Sequence, residues 1–151
     1  RQYETVTRYI ERALDDGAEL ITGGKRPEGF EQGYYLEPTI FLDREEKTCI
    51  AKEEIFGPVL TVMPWSDLND LVDRANNSVY GLAAGIWTND LSQAHKIAAR
   101  LEAGSVWINC YNVVHPVSPF GGYKQAGWGR EMSHDVIEAY TETKNVCVNL
   151  V

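Results

Sequence analysis

Two short segments hold side chains whose types and spacing could do chemistry. The first is Ala51-Lys52-Glu53-Glu54-Ile55-Phe56-Gly57-Pro58, where adjacent carboxylates and an aromatic ring precede a Gly-Pro pair that stiffens the chain and keeps residue 57 out of helix. A carboxylate can accept from both hydroxyls of a ribose, and a neighbouring ring can pack on a flat heterocycle, so Glu54 with Phe56 makes a sensible nucleotide grip. A solvated glutamate pair beside a core phenylalanine fits the same letters. The second segment runs from Ser118 to Glu131. Its glycines permit positive φ and close backbone approach, while Phe120, Tyr123 and Trp128 offer apolar walls for a ligand. A packed aromatic loop is the alternative.

Other chemistries lack their residues. Gly127-Trp128-Gly129-Arg130-Glu131-Met132 supplies the first two glycines of a dinucleotide fingerprint, but Met132 stands where the third belongs and no strand precedes it. Gly121-Gly122-Tyr123-Lys124 is no phosphate loop. The histidines at 95, 115 and 134 form no HxxxH or HExxH, and the cysteines at 49, 110 and 147 form no CxxC, so no metal is expected. An odd number of widely spaced cysteines argues for free thiols in a reducing compartment, and hence for a cytoplasmic location.

Periodicity gives the elements that must position these segments. Val6, Ile10, Ala13 and Leu14 recur at helical spacing before Gly17, so residues 2–16 form an amphipathic helix closed by a C-cap glycine, with a short strand at 18–22. Residues 25–33 make a turn-rich connection. Tyr34-Tyr35-Leu36 and Thr39-Ile40-Phe41 look like strand, and Pro38, which cannot donate to a ladder, places them at an edge. From Val59 a strand-then-helix grammar repeats: strand 59–63, Ser66 as a cap, and a stripe of Leu68, Leu71, Val72 and Ala75. It continues with strand 82–88, caps at Asn89 or Asp90, a second stripe from Leu91 to Leu101, and a third strand at 105–109. Such a βαβαβ run implies an α/β fold with an open, mainly parallel sheet and helices on both faces. A last helix is expected over 131–140. The tail alternates Val146, Val148 and Leu150 with polar residues, as a strand with one face to hide and an edge to pair.

Composition sets outer bounds. The 151 residues carry 22 acidic and 14 basic side chains, a formal charge of −8, which repels phosphate backbones and anionic lipid. Neither nucleic acid nor a membrane is an expected partner. The longest near-apolar stretch, Leu82 to Trp87, falls far short of the roughly 20 residues that span a bilayer. A chain of this length and 44% hydrophobic content can bury its own core. It also opens in mid-pattern, at Arg1-Gln2-Tyr3-Glu4, as a piece of something longer would.

Taken together, Lys52 to Pro58, Ala75-Asn76-Asn77 with Tyr80-Gly81-Leu82, Gly104 to Asn109, Pro119 to Lys124 and Gly127 to Glu131 resemble, in order and spacing, the C-terminal third of the NAD(P)-dependent aldehyde dehydrogenases. The resemblance runs over almost the whole chain and implies several roles. The carboxylate matching Glu54 binds the nicotinamide ribose of NAD or NADP, and the ring matching Phe56 packs on the nicotinamide. Phe120 matches a residue of the aldehyde tunnel, and the loop 110–118, with Val114, matches the variable tunnel wall. Gln2 lies near a position that can touch the adenosine ribose, although Thr5 departs from the lysine often found close by. Residues 1–142 then belong to the catalytic domain, and 143–151 to the strand through which family members form homo-oligomers, dimers or tetramers.

The family's chemistry needs a cysteine nucleophile, hydride transfer and a glutamate that activates water. Both residues lie upstream of this segment in the family, and Cys49, Cys110 and Cys147 match none of them. No catalytic residue is therefore expected in this chain, which on its own should oxidise no aldehyde. The rival assignment is a non-catalytic interaction or oligomerisation module that kept the fold.

Overall fold

A computed structural model describes every residue from Arg1 to Val151, and the chain divides into two compact units, Arg1–Ser66 and Asp67–Val151.

The first unit is built on one helix and one small sheet. Helix α1, Gln2–Asp15, buries Val6, Ile10 and Ala13, the stripe that the spacing predicts. It ends where Gly17 takes φ +90°: the Gly17 amide donates to the Leu14 carbonyl and the Ala18 amide to that of Ala13. These two bonds are a Schellman cap. Strands β1 (Glu19–Thr22), β2 (Thr39–Leu42) and β3 (Val59–Val62) form a sheet in the order β1-β2-β3, the first pair antiparallel and the second parallel. Thr39 and Phe41 are buried on the covered face of β2, and the core joins Phe41 to Val6, Ile10, Ala13, Cys49, Ile50 and Ile55.

Pro38 does not mark an edge, because β2 is the central strand. Proline stands one residue before the ladder, and Thr39 makes the first bond, its amide donating to the Pro58 carbonyl at 2.8 Å. Residues 34–36 form no strand either. Their rings contact other rings instead: Phe30 meets Tyr35 in a tilted pair at 4.7 Å, Tyr34 meets Tyr3 at 6.2 Å, and Arg26 donates to the carbonyls of Phe30 and Gly33. After β2 the chain turns around the buried carboxylate of Asp43 and enters a single 3-10 turn, Cys49–Ala51.

The second unit carries helices α2 (Leu68–Asn76), α3 (Leu91–Ala98) and α4 (Val136–Tyr140), and strands β4 (Tyr80–Gly81), β5 (Ala83–Ile86), β6 (Ser105–Ile108) and β7 (Tyr123–Lys124). Asp67, not Ser66, caps α2 by accepting from the amides of Asn69 and Asp70, and Asp90 caps α3 by accepting from Gln93. A carboxylate at these positions also complements the helix dipole. Strands β5 and β6 pair in parallel across α3, so one βαβ crossover forms as expected. The other does not, because β3 ladders with β2 rather than with β5.

The single, open parallel sheet is therefore corrected to three small sheets within an α/β fold, and β5 and β6 are only half-buried. Apolar runs tell which residues need cover. They do not tell which strand supplies the hydrogen bonds. Helix α4 starts five residues later than expected because Glu131 is engaged in a two-bond bridge with Phe120, and Met132 and Ser133 take positive φ. Residues 143–151 form no strand; Val146, Val148 and Leu150 are exposed and find no ladder partner within the chain.

Candidate functional site

Glu54 and Phe56 leave the 3-10 turn on a segment that returns to the sheet at Val59. Ile55, between them, is buried, so its neighbours point outward: Glu54 is exposed and Phe56 is 76% exposed. Phe56 takes φ +52°, a left-handed conformation that costs a non-glycine residue about 1–2 kcal/mol. Outliers of this kind persist where the surroundings impose them. Here α1 does so: the Gln2 amide donates from Nε2 to the carbonyls of Phe56 (2.8 Å) and Ile55 (3.3 Å). Next to Glu54, Glu53 accepts from the Tyr9 hydroxyl at 2.8 Å and pairs with Arg12 at 3.4 Å. The bond to Glu53, with burial behind it, holds the Tyr9 phenol above its ordinary pKa, so it is a donor at neutral pH. Gly57 packs so closely that a Cβ there would sit 2.6 Å from a Val6 methyl.

The two adjacent carboxylates thus have different work. Glu53 is tied to the helix; Glu54 takes no bond from the chain and is free for a ligand. A free acceptor beside an exposed ring suits a ribose diol and a flat heterocycle. Cys49 is buried below this segment, where desolvation pushes its thiol up, so it offers no thiolate.

The second constellation lies in the other unit. The loop after β6, together with β6 itself, lines a half-open cavity of about 350 Å³ bordered by Trp107, Cys110, Val114, His115 and Phe120 among others. Val114 and Phe120 thus share one cavity. Of the three aromatic walls expected, Phe120 alone lines it; Trp128 is 99% exposed, and Tyr123 belongs to β7. Trp107 went unnoticed from sequence, although it stands on β6 just ahead of the loop. Its indole donates to the Val113 carbonyl at 2.9 Å, which folds the loop back over the strand. His115 Nδ1 accepts from the Val117 amide at 3.4 Å.

The loop that carries Phe120 is fastened along its length. Arg130 donates to the Gly122 and Gly129 carbonyls and covers the Tyr123 ring, while Lys124 reaches the Asn76 carbonyl and Glu102, both at 2.6 Å. Asn76 in turn bonds Arg100 and Glu102, joining α2 to the turn before β6. No three His, Cys, Asp or Glu side chains converge as metal ligands, and no helix is long and apolar enough to cross a membrane.

Comparison with known proteins agrees with this α/β architecture. The chain matches the aldehyde dehydrogenase family over residues 1–146, and it belongs to that family. It is 55% identical to DhaS of Bacillus subtilis and 48% identical to phenylacetaldehyde dehydrogenase of Pseudomonas fluorescens, matching 99% and 98% of its own length. It spans about 30% of the length of these relatives. Among solved structures, the NAD+ complex of aldehyde dehydrogenase from Bacillus cereus superposes with a TM-score of 0.91 at 47% identity, covering 99% of this chain and 30% of that one.

Proposed function

We propose that the chain is the C-terminal part of a cytoplasmic, homo-oligomeric enzyme that oxidises an aldehyde to a carboxylic acid with NAD+ or NADP+. The observation that carries this proposal is the turn at residues 54–56, where a free carboxylate and an exposed ring are held side by side by a backbone that would not adopt this conformation unaided. When bound, the nicotinamide supplies the hydride acceptor. Glu54 accepts from its two ribose hydroxyls, and Phe56 packs on the ring, so that the nicotinamide is held in one orientation. Val114 and Phe120 wall the aldehyde's path. The nucleophilic cysteine and the general-base glutamate belong to parts of the enzyme outside these residues, and this chain alone turns over no aldehyde.

In the complete protein, Glu54→Gln removes a charge-assisted pair of bonds, a loss of about 1.5–3 kcal/mol. The expected result is weaker NAD(P)+ binding together with a lower kcat, because a loosely held nicotinamide misaligns the reacting carbons. Steady-state kinetics and cofactor titration both at parental values would remove Glu54 from the site.

The alternation of Val146, Val148 and Leu150, with all three exposed, supports residues 143–151 as the oligomerisation segment. Pairing with another subunit's sheet edge would bury that side. Val148→Asp puts a carboxylate there, to be desolvated without a partner, and should shift the complete protein towards lower mass in light scattering. An unchanged mass speaks against this use of the tail.

A further inference from the structure

The turn that presents Glu54 and Phe56 does not hold itself. Its backbone bonds lie at its far end, where the Gly57 carbonyl accepts from Val59 and the Pro58 carbonyl from Thr39; Ile55 and Phe56 make none, Phe56 sits at φ +52°, and only Ile55 is anchored in the core. Left-handed backbone at residue 56 brings the carbonyls of residues 55 and 56 round to the same side. There they meet a single donor group, the Gln2 amide at the start of α1. An amide nitrogen carries two hydrogens, and both are used on these carbonyls, which leaves no donor of Gln2 for a ligand. The orientation of this amide follows from its partners, since the opposite flip would set an oxygen against two carbonyl oxygens. A second attachment lies two turns further along α1, where Tyr9 and Arg12 hold Glu53. Between the attachments, Gly57 lies directly on Val6.

We propose that α1 is the positioning element of the cofactor turn, with Gln2 fixing the backbone at residues 55 and 56 and Tyr9 with Arg12 anchoring it through Glu53. This rests on Glu54 and Phe56 being the cofactor's residues. Gln2 is then a positioning residue, and its effect on the cofactor passes entirely through the turn. It follows that the chemistry of its head group, not its size, decides function. A donor is needed, and an acceptor is worse than nothing.

The test uses the complete protein and NADH, whose fluorescence changes on binding, so that affinity is read apart from turnover. Gln2→Met keeps the shape and removes the donor; it should weaken NADH binding about tenfold, the factor expected from losing two bonds of ordinary net strength. Gln2→Glu, an acceptor facing two carbonyls, should weaken it further. Gln2→Lys restores a donor and should recover most of the affinity. Tyr9→Phe, which removes one hydroxyl from a surface position, should shift affinity in the same direction by about threefold. In each variant, amide exchange at Val59, whose amide donates to the Gly57 carbonyl, should speed up in step with the loss of affinity.

Combining Gln2→Met with Glu54→Gln separates the outcomes. If Gln2 acts through the turn, the loss in the double variant is clearly smaller than the sum of the two single losses, the remainder passing through Phe56. Full additivity overturns the proposal, as does parental binding in Gln2→Met while Glu54→Gln is impaired, which leaves the cofactor assignment standing. Parental binding in both removes the cofactor assignment as well. Should Gln2→Met fold poorly, Tyr9→Phe carries the same test: unaltered affinity and exchange in that variant overturn the second anchor and the role of α1 with it.

Discussion

Gly104→Ala is expected to unseat the loop that carries Phe120. A Cβ built on Gly104 would lie 1.6 Å from the Gly121 carbonyl oxygen and 2.8 Å from its carbon, and both are backbone atoms. A flexible side chain could swing away from such a contact. A carbonyl cannot, because Gly121 is itself wedged against the Gly129 carbonyl and Arg130, and the next residue, Gly122, against Ala126. The methyl group therefore has to move β6 or the whole loop, at an expected cost of about 3 kcal/mol or more. Gly127→Ala is the control. Gly127 has φ +126° but open space around it, so alanine there meets backbone strain alone, about 1–3 kcal/mol. Thermal unfolding of the complete protein should show Gly104→Ala as clearly the worse of the two, with faster amide exchange at Phe120 and Glu131, whose paired bonds close the loop. The reverse order would mean that the close approach at Gly104 is not what seats the loop.

The contrast between these glycines shows what a sequence can and cannot declare. Gly17 was legible because its cap depends on residues within one turn of α1, and the same holds for Asp90 at α3 and for the parallel pairing of β5 with β6 around that helix. Gly104 reads locally as the glycine that closes the Leu91–Leu101 stripe, yet α3 ends at Ala98 and the close partner of Gly104 is Gly121, 17 residues away, which no local pattern announces. The aromatic run at Tyr34 and Tyr35 misleads for a related reason. Rings that suit a strand suit a stacked loop equally well, and only the positions of Phe30, Tyr3 and Arg26 decide between them. At the site, Gly57-Pro58 after a carboxylate and a ring singles out the segment of Glu54 and Phe56, but only the resemblance to the family prefers a cofactor grip to a solvated glutamate pair beside a core phenylalanine. What holds that turn could not be picked out: Gln2 and Tyr9 are separated from their partners by 54 and 44 residues, and nothing in their spacing announces the contact. Val114 and Phe120 do meet in one cavity, whereas Trp128, equally aromatic and four residues beyond Lys124, is exposed because Gly127 and Gly129 turn it outward.

The second large effect is expected at Asp43, a carboxylate that is only 5% exposed and feels the charge of Lys47 without forming an ion pair with it. Four donors hold it instead. One oxygen accepts from the amides of Glu45 and Glu46, the other from the amide and the hydroxyl of Thr48. Burial alone would push the acid up, but these bonds outweigh it and hold the carboxyl below its ordinary value. Asp43→Asn keeps the shape yet cannot keep the bonds. Whichever oxygen becomes an amide nitrogen, it faces donors, and although the Thr48 hydroxyl can turn round to accept, no backbone amide can. A cost of about 2–4 kcal/mol follows, against about 1 kcal/mol for Thr48→Val, which removes a single donor. The pH dependence has a definite sign. Because the folded carboxyl titrates below the unfolded one, the unfolded chain binds more protons between the two values, and stability rises with pH there. Asp43's contribution is thus complete above the ordinary carboxylate range and is lost as pH falls through the lowered value. Urea unfolding of the complete protein from pH 7 down to the acid limit should show the gap between parent and Asp43→Asn narrowing below about pH 4. Over the same range the amides of Glu45, Glu46 and Thr48 should lose protection in the parent relative to neutral pH, after correction for intrinsic exchange. A gap that stays constant with pH would show that the ionised carboxylate is not what orders this turn. The consequence reaches the site, since the turn delivers the chain to Cys49–Ala51, and the Glu54 segment departs from there.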